Sequence, residues 1–386
     1  MNFRPKRYER HALSIVASKP MTRLLYALCL VVVTASLARA DDLVRDMTSI
    51  QIALPGGGQA RLEAMIVRPD RPGRFPLVIM VHGTPRDLRT IRNLSPALYI
   101  VQAEYFAARG YAAVAIMRRG FGHSDGPYAE TIRGPCEARD YLAVSRISAQ
   151  DVLGAVTALR SEPWVDPGRV VLLGHSTGGV AVTAAAATNP AGVVGILDFA
   201  GGRGSNAPDH VCSPDRLTEA FGVFGKTARI PALWIYAEND HFFSPALARQ
   251  MFEAYTAAGA PARLVMLPPV GDDGHSALTA APKLIWPPVE TFLASLGLPT
   301  TTVVSLPPLP ALPAPPGLND SCAAGFRDYV TVRNEAKAFA INPEGHCGWI
   351  FSAVSVDEAK RIAMESCAKR AANCVLYAVG QSLATR

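Results

Sequence analysis

Beyond residue 40 the sequence has no excess of charge of either sign. The first 40 residues hold seven Lys or Arg and one Glu, which accounts for the whole formal net charge of +6. The remainder carries 31 basic side chains (38 less seven) and 31 acidic ones (32 less one). A neutral body removes the global electrostatic case for a phosphate-backbone partner, so no nucleic acid is expected. The chain also lacks any Cys-x-x-Cys pair, and His346-Cys347 offers no second ligand at zinc-finger spacing, so no metal is expected. It has no internal repeat and no apolar run long enough for an easy membrane span.

The longest apolar stretch, Leu24 to Leu37, follows Met21-Thr22-Arg23 and ends in Ala38-Arg39-Ala40, just before Asp41-Asp42. A basic start, a short apolar core and an Ala-x-Ala end predict a signal peptide over residues 1–40, with translation starting at Met1 or Met21. An uncleaved anchor is the alternative. Cys29 follows Tyr26-Ala27-Leu28, which lacks the small residue expected before a lipoprotein cysteine. The mature protein is therefore expected to be periplasmic or secreted, without stable membrane insertion. Six cysteines remain after cleavage: Cys136, Cys212, Cys322, Cys347, Cys367 and Cys374. An even number in an oxidising compartment predicts disulfides.

Seven prolines between Leu298 and Leu318 predict an extended, semi-rigid linker over residues 298–318. It separates a large body, residues 41–297, from a small module, residues 319–386. In the body, apolar runs of strand length alternate with amphipathic runs of helix length, the α/β pattern of a mostly parallel sheet covered on both faces. Eight strands are expected: Ser49–Leu54, Leu62–Val67, Pro76–Val81, Tyr111–Met117, Arg169–Leu173, Val193–Phe199, Ile230–Tyr236 and Arg263–Leu267. Helices are expected over Leu98–Ala108, Ala149–Leu159, the run after Ser176, Ala246–Ala258 and Leu284–Leu296. In such sheets ligands bind beyond the carboxyl ends of the strands.

Gly174-His175-Ser176-Thr177-Gly178 stands at one such end, delivered by Val170 to Leu173 and followed by the alanine-rich run Val180 to Thr188. A serine on a sharp strand-to-helix turn stands proud of the sheet, and flanking glycines remove side chains that would clash there. Serine becomes nucleophilic only when a base takes its proton. An acid should follow a later strand, and Leu233 to Tyr236 leads into Ala237-Glu238-Asn239-Asp240. Asp240 is the choice, with Glu238 as its rival. The base should come last, and His275, in Gly271 to Ser276, is the histidine of that loop. His241 adjoins the acid too closely to face it, His82 and His175 belong to the turn motifs, and His11 lies in the leader. His123, His210 and His346 are expected in surface or loop positions.

After the third strand the chain reads His82-Gly83-Thr84-Pro85. Pro85 has no N–H, so the oxyanion donors are expected from the amides of Thr84 and Thr177. The order Ser176, Asp240, His275, with His82-Gly83 upstream, resembles the α/β-hydrolase superfamily over about residues 41–297. Within it the body is most similar to secreted dienelactone-hydrolase-like and related esterase or peptidase proteins. Dienelactone hydrolases place cysteine at the elbow, whereas this chain has Ser176. The resemblance implies a serine hydrolase acting on a small-molecule carboxylic ester without metal or organic cofactor. A peptidase of the same fold and a non-catalytic envelope-binding protein are the alternatives.

Arg118-Arg119-Gly120-Phe121-Gly122-His123-Ser124-Asp125-Gly126 resembles a glycine-shaped loop of many relatives. Its arginines are expected either to hold that loop or to meet an acidic group of the substrate. Cys136 and Cys212 fall in long loops after the fourth and sixth strands and are expected to pair. The module is expected to be a small α+β unit. Its elements are a strand at Ala338–Ile341, a turn at Pro343-Glu344-Gly345, the segment Gly348–Phe351, a helix at Val356–Ala371 and a strand at Val375–Val379. Its four cysteines allow three pairings. Two roles are open to it: binding an envelope component, or stabilising the body.

Overall fold

The computed structural model describes residues 43–384 except 307, and the expected leader lies outside them. The described residues pack as one compact unit. The body is built on eight strands: β1 (Leu43–Ala53), β2 (Gln59–Pro69), β3 (Phe75–Val81), β4 (Ala112–Ile116), β5 (Val165–His175), β6 (Val193–Phe199), β9 (Ala232–Ala237) and β10 (Ala262–Leu267). A small hairpin, β7 (Ser205–Ala207) and β8 (His210–Val211), stands apart from the sheet. The sheet order is β1-β2-β4-β3-β5-β6-β9-β10. β2 pairs antiparallel with both β1 and β4, and every pairing from β4 to β10 is parallel.

Successive residues of β3 divide between the two faces, as strand geometry requires. Leu77, Ile79 and Val81 join one core cluster, while Val78 and Met80 join the other, all five fully buried. Helices α2 (Tyr141–Leu159), α3 (Thr177–Ala186), α4 (Pro214–Gly225) and α5 (Pro245–Ala257) cover the first face. α1 (Ile100–Ala108) and α6 (Pro282–Ser295) cover the second. Central strands buried on both faces explain why they read as unbroken apolar runs.

Two expected boundaries shift for identifiable reasons. β1 begins at Leu43 rather than Ser49, because an edge strand keeps Arg45 and Asp46 exposed while pairing along its whole length with β2. α2 begins at Tyr141 rather than Ala149, because Asp140 caps it by accepting from the Ala143 amide at 3.0 Å.

The described residues of the proline-rich stretch form no helix or strand, yet they are tied to the body. The amides of Val303 and Val304 donate to the Ala108 carbonyl at 2.7 and 3.0 Å, and Tyr111 Oη donates to the Pro299 carbonyl at 2.8 Å. Beyond it lie α7 (Asp320–Tyr329), α8 (Val356–Ala368) and an antiparallel sheet of β11 (Ala338–Ile341), β12 (Cys347–Ile350), β13 (Val375–Val379) and β14 (Ser382–Leu383). α7 was not foreseen in the sequence. Cys322–Cys347 ties α7 to β12, and Cys367–Cys374 ties α8 to the approach to β13. Val332 joins the body's second core cluster, and Arg333 reaches Glu104 of α1 at 3.6 Å.

Candidate active site

Ser176 closes the turn between β5 and α3 with φ 57° and ψ −122°, a backbone region that a side chain rarely occupies. The turn is held by the Ser176 amide donating to Phe199 O at 2.9 Å, and by the amides of Gly179 and Gly202 donating to Ser176 O at 2.9 and 3.2 Å. Its glycines are required by contact. A Cβ on Gly174 would lie 2.2 Å from the Gly178 carbonyl oxygen, and one on Gly178 would lie 2.1 Å from that of Val81.

His275 follows β10 in a short turn, and its Nδ1 lies 3.0 Å from Asp240 Oδ2. The other carboxylate oxygen, Oδ1, accepts from the amides of Phe242 and Phe243 at 2.7 and 2.9 Å. An oxygen fixed by two backbone donors fixes the direction of its partner. Glu238, the rival acid, is instead exposed and paired with Arg249. Phe242 stacks on the imidazole at 4.0 Å with the rings 14° from parallel, and Arg86 lies over the far side of Phe242 at 3.5 Å. His175 packs beside His275 at 4.9 Å and bonds its carbonyl at 2.9 Å. Burial, and next the neighbouring His275, lower the His175 pKa to about 4, so at neutral pH its Nε2–H is the donor.

Asp240 and His275 are therefore directly bonded, and His275 touches the residue that precedes Ser176. Among the described residues no hydrogen bond joins the Ser176 hydroxyl to the imidazole. Ser176 instead faces a cavity of about 350 Å³ that Thr84, Thr177 and Phe242 also line. Neither the Thr84 nor the Thr177 amide has an acceptor among the described residues. Their hydroxyls bond each other at 2.8 Å, which fixes the spacing of the two segments.

Arg118 and Arg119 do not line the cavity. Arg118 is fully buried: Nη1 donates to the His82 carbonyl, Nε to Glu130 Oε1, and Nη2 to Glu130 Oε2 at 3.3 Å and Thr177 Oγ1 at 3.0 Å. Arg119 is taken by Asp151 at 2.5 Å and Gln150 at 3.1 Å. Of the two roles expected for them, this geometry leaves the loop-holding one. The amide of Arg118 also donates to His82 Nε2 at 3.0 Å, so His82 carries its proton on Nδ1 and gives it to Gly83 O at 2.6 Å. Burial, reinforced by Arg118, lowers the His82 pKa strongly and keeps that ring neutral.

Several residues around the cavity were not singled out in the sequence. Glu130 is fully buried between Arg118 and Arg203, the latter at 2.9 Å. Desolvation pushes its carboxyl up, but the two guanidiniums outweigh it and bring the pKa to about 2. Glu130 and Arg203 are 73 residues apart in loops without periodic pattern, so no local signal marked them. Phe242-Phe243 did carry a signal, an apolar pair directly after Asp240-His241 in a loop.

Cys136 and Cys212 form a disulfide across 76 residues and join the two loops that wall the cavity. His210 lies with them, but both sulfurs are spent in the bond, which leaves no metal set there. Three disulfides fit an oxidising compartment. Among the described residues no helix is long and apolar enough to cross a membrane.

A family model described as X-Pro dipeptidyl-peptidase (S15 family) matches residues 57–214, a span that includes Ser176 and stops short of Asp240 and His275. The uncharacterized peptidase YuxL of Bacillus subtilis is 28% identical over 181 residues, 44% of this chain and 25% of that protein. The quorum-quenching protein AidA of Acinetobacter baumannii is 30% identical over 129 residues, 33% of this chain and 36% of that protein. The chain thus spans about a quarter to a third of these curated relatives. A putative dienelactone hydrolase from Klebsiella pneumoniae is 20% identical, covering 67% of this chain and 99% of the other with a TM-score of 0.44. With an eight-stranded sheet in this order, an antiparallel second strand and a serine elbow after β5, the chain has the α/β-hydrolase fold.

Proposed function

We propose that the protein is a serine hydrolase that cleaves a carboxylic ester through an acyl-enzyme. His275 Nε2 takes the proton of Ser176 Oγ as the oxygen attacks the carbonyl carbon. Asp240 holds the Nδ1–H and stabilises the imidazolium that forms. The amides of Thr84 and Thr177 receive the negative oxygen. Donors of this kind each lower the barrier by about 3 kcal/mol. Collapse expels the alcohol, which takes the proton from His275, and water then repeats the sequence on the acyl-serine. The proton passes once Ser176 Oγ and His275 Nε2 come within hydrogen-bond reach.

One observation carries this reading: Asp240 joins His275 through one oxygen while two amides fix the other, beside a serine held at positive φ. A fluorophosphonate should label the wild-type protein and not Ser176→Ala, and the same substitution should abolish ester turnover. Labelling that persists in Ser176→Ala sinks the assignment. The S15 family match and the peptidase relative favour a second reading, hydrolysis of aminoacyl amides. Amide turnover within tenfold of ester turnover would establish it. The three disulfides support a periplasmic or secreted location in this reading. No residue of 319–384 is among those lining the cavity, and an envelope component is the module's proposed partner.

A further inference from the structure

The cavity beside Ser176 carries positive charge that its own residues leave uncompensated. Arg86, Arg139 and Arg203 line it, and Glu130 is the one acidic side chain among its lining residues. That carboxylate is already shared between Arg118, which lies behind the cavity wall, and Arg203. Arg86 donates to Ser205 Oγ and to the carbonyls of Ala207 and His241, at 2.9 to 3.3 Å, all neutral acceptors. Arg139 donates to the carbonyls of Ile132 and Gly134, again neutral. Among the described residues neither of these two has a carboxylate partner. Arg203 adds an independent observation. It is 1% exposed, its Nη2 serves Glu130 and Ser148 Oγ, and its Nε is buried with no acceptor at all.

A buried guanidinium N–H without an acceptor is normally avoided, because it has given up water and received nothing in return. An anionic group in the cavity would offset the charge that Arg86, Arg139 and Arg203 bring to its wall. A planar carboxylate matches the guanidinium fork. Beside these groups Ile132, Leu88 and Phe243 offer apolar surface for a short chain.

Resting on the hydrolase reading above, we infer that the preferred substrate is an ester that also carries a carboxylate, bound by Arg139 and Arg203 with Arg86 at the side of Phe242. The arginines foreseen for this task, Arg118 and Arg119, serve other groups, and the acidic-substrate role moves to three that line the cavity.

The test has two arms on the disulfide-intact full chain. In the first, a pH-stat compares monomethyl adipate with methyl hexanoate. The wild type should favour the anionic ester by about tenfold or more in kcat/KM, and the ratio should fall about tenfold in Arg139→Gln and in Arg203→Met, the size expected for losing one charge-assisted contact. Arg203→Met also strips Glu130 of a partner and can unfold the protein, so Arg139→Gln, whose partners are two carbonyls of its own loop, carries this arm. In the second arm, calorimetry measures adipate and 1,6-hexanediol binding to Ser176→Ala. Adipate should bind at least tenfold more tightly, with weaker binding at high salt and in Arg139→Gln. Adipate binding no tighter than the diol overturns the inference, whatever the esters do. Adipate binding without turnover of either ester and without fluorophosphonate labelling overturns the hydrolase reading and leaves the anion site standing.

Discussion

The wall of the candidate site around Glu130 and the floor beneath its elbow each bury a carboxylate completely, and the two are treated in opposite ways. On the wall, Glu130 lies between two guanidiniums that overcome desolvation and hold its pKa near 2. Under the floor, Asp198 at the end of β6 has a Thr183 hydroxyl at 3.2 Å on Oδ2, while Oδ1 has no partner. A Cβ on Gly179 or on Gly201 would come within 2.1 Å of that Oδ1, so backbone packs directly against it. Burial there wins over the Thr183 hydroxyl and the Gly201 backbone, and the carboxyl is pushed up to about 7. Desolvation is common to both sites, and the supply of compensating donors decides the outcome. Asp240 shows a third arrangement, a carboxylate buried like the others but met by two amides and an imidazole.

Breaking the third arrangement should have the largest effect. Asp240→Asn keeps the shape but favours the wrong tautomer of His275, so kcat should fall by about 10⁴-fold with the fold intact. Circular dichroism together with ester turnover checks it. A loss of less than about tenfold would make the Asp240–His275 bond structural rather than catalytic.

The wall should break next. Arg118→Met leaves Glu130 with Arg203 alone and removes the tie from Arg118 to Thr177, at a cost of about 3 to 5 kcal/mol in denaturant unfolding. Turnover should fall as well, because the Thr177 hydroxyl that pairs with Thr84 loses its guanidinium donor at 3.0 Å. Adding Glu130→Gln should recover part of the stability but not the turnover, since the neutral amide no longer needs a cation while the threonines still do. Full recovery of both would show that the wall serves only to neutralise Glu130.

What the sequence made legible follows the same division. The strands, the sharp turn at Ser176 and the loop positions that bring Asp240 to His275 were readable because each is local: an apolar run, a turn motif, a position in chain order. The pairing of the module's cysteines was not, because spacing alone allowed three solutions and the fold of α7 against β12 selects one. The Glu130 cage was hidden for a related reason. Its members, Arg118, Glu130 and Arg203, come from two loops that meet only in three dimensions. Arg118 was noticed as a charge but read partly as a substrate contact, since nothing in the sequence revealed the carboxylate that occupies it. Asp198 carried no signal within its apolar strand, and the scarcity of donors around it is visible only once Gly179 and Gly201 close over it.

The floor gives the smallest effect and the one that tests the comparison most directly, because the two carboxylates must respond to pH with opposite signs. Glu130 has a lowered folded pKa, so its contribution is present above the unfolded value near 4.5 and is lost as pH falls toward 2. Asp198 has a raised folded pKa: its contribution is complete below the unfolded value near 3.8 and is lost as pH rises through about 7. Between pH 5 and pH 7 this group alone should cost about 2 kcal/mol of stability. Asp198→Asn removes the ionisation while keeping the size and the oxygen facing Thr183. Its unfolding free energy should therefore fall by about 2 kcal/mol less than that of the wild type across this range, with the advantage over the wild type growing toward pH 8. Equal pH slopes for the two proteins would mean that water or an unrecognised donor reaches Oδ1, and that the floor compensates its carboxylate much as the wall does.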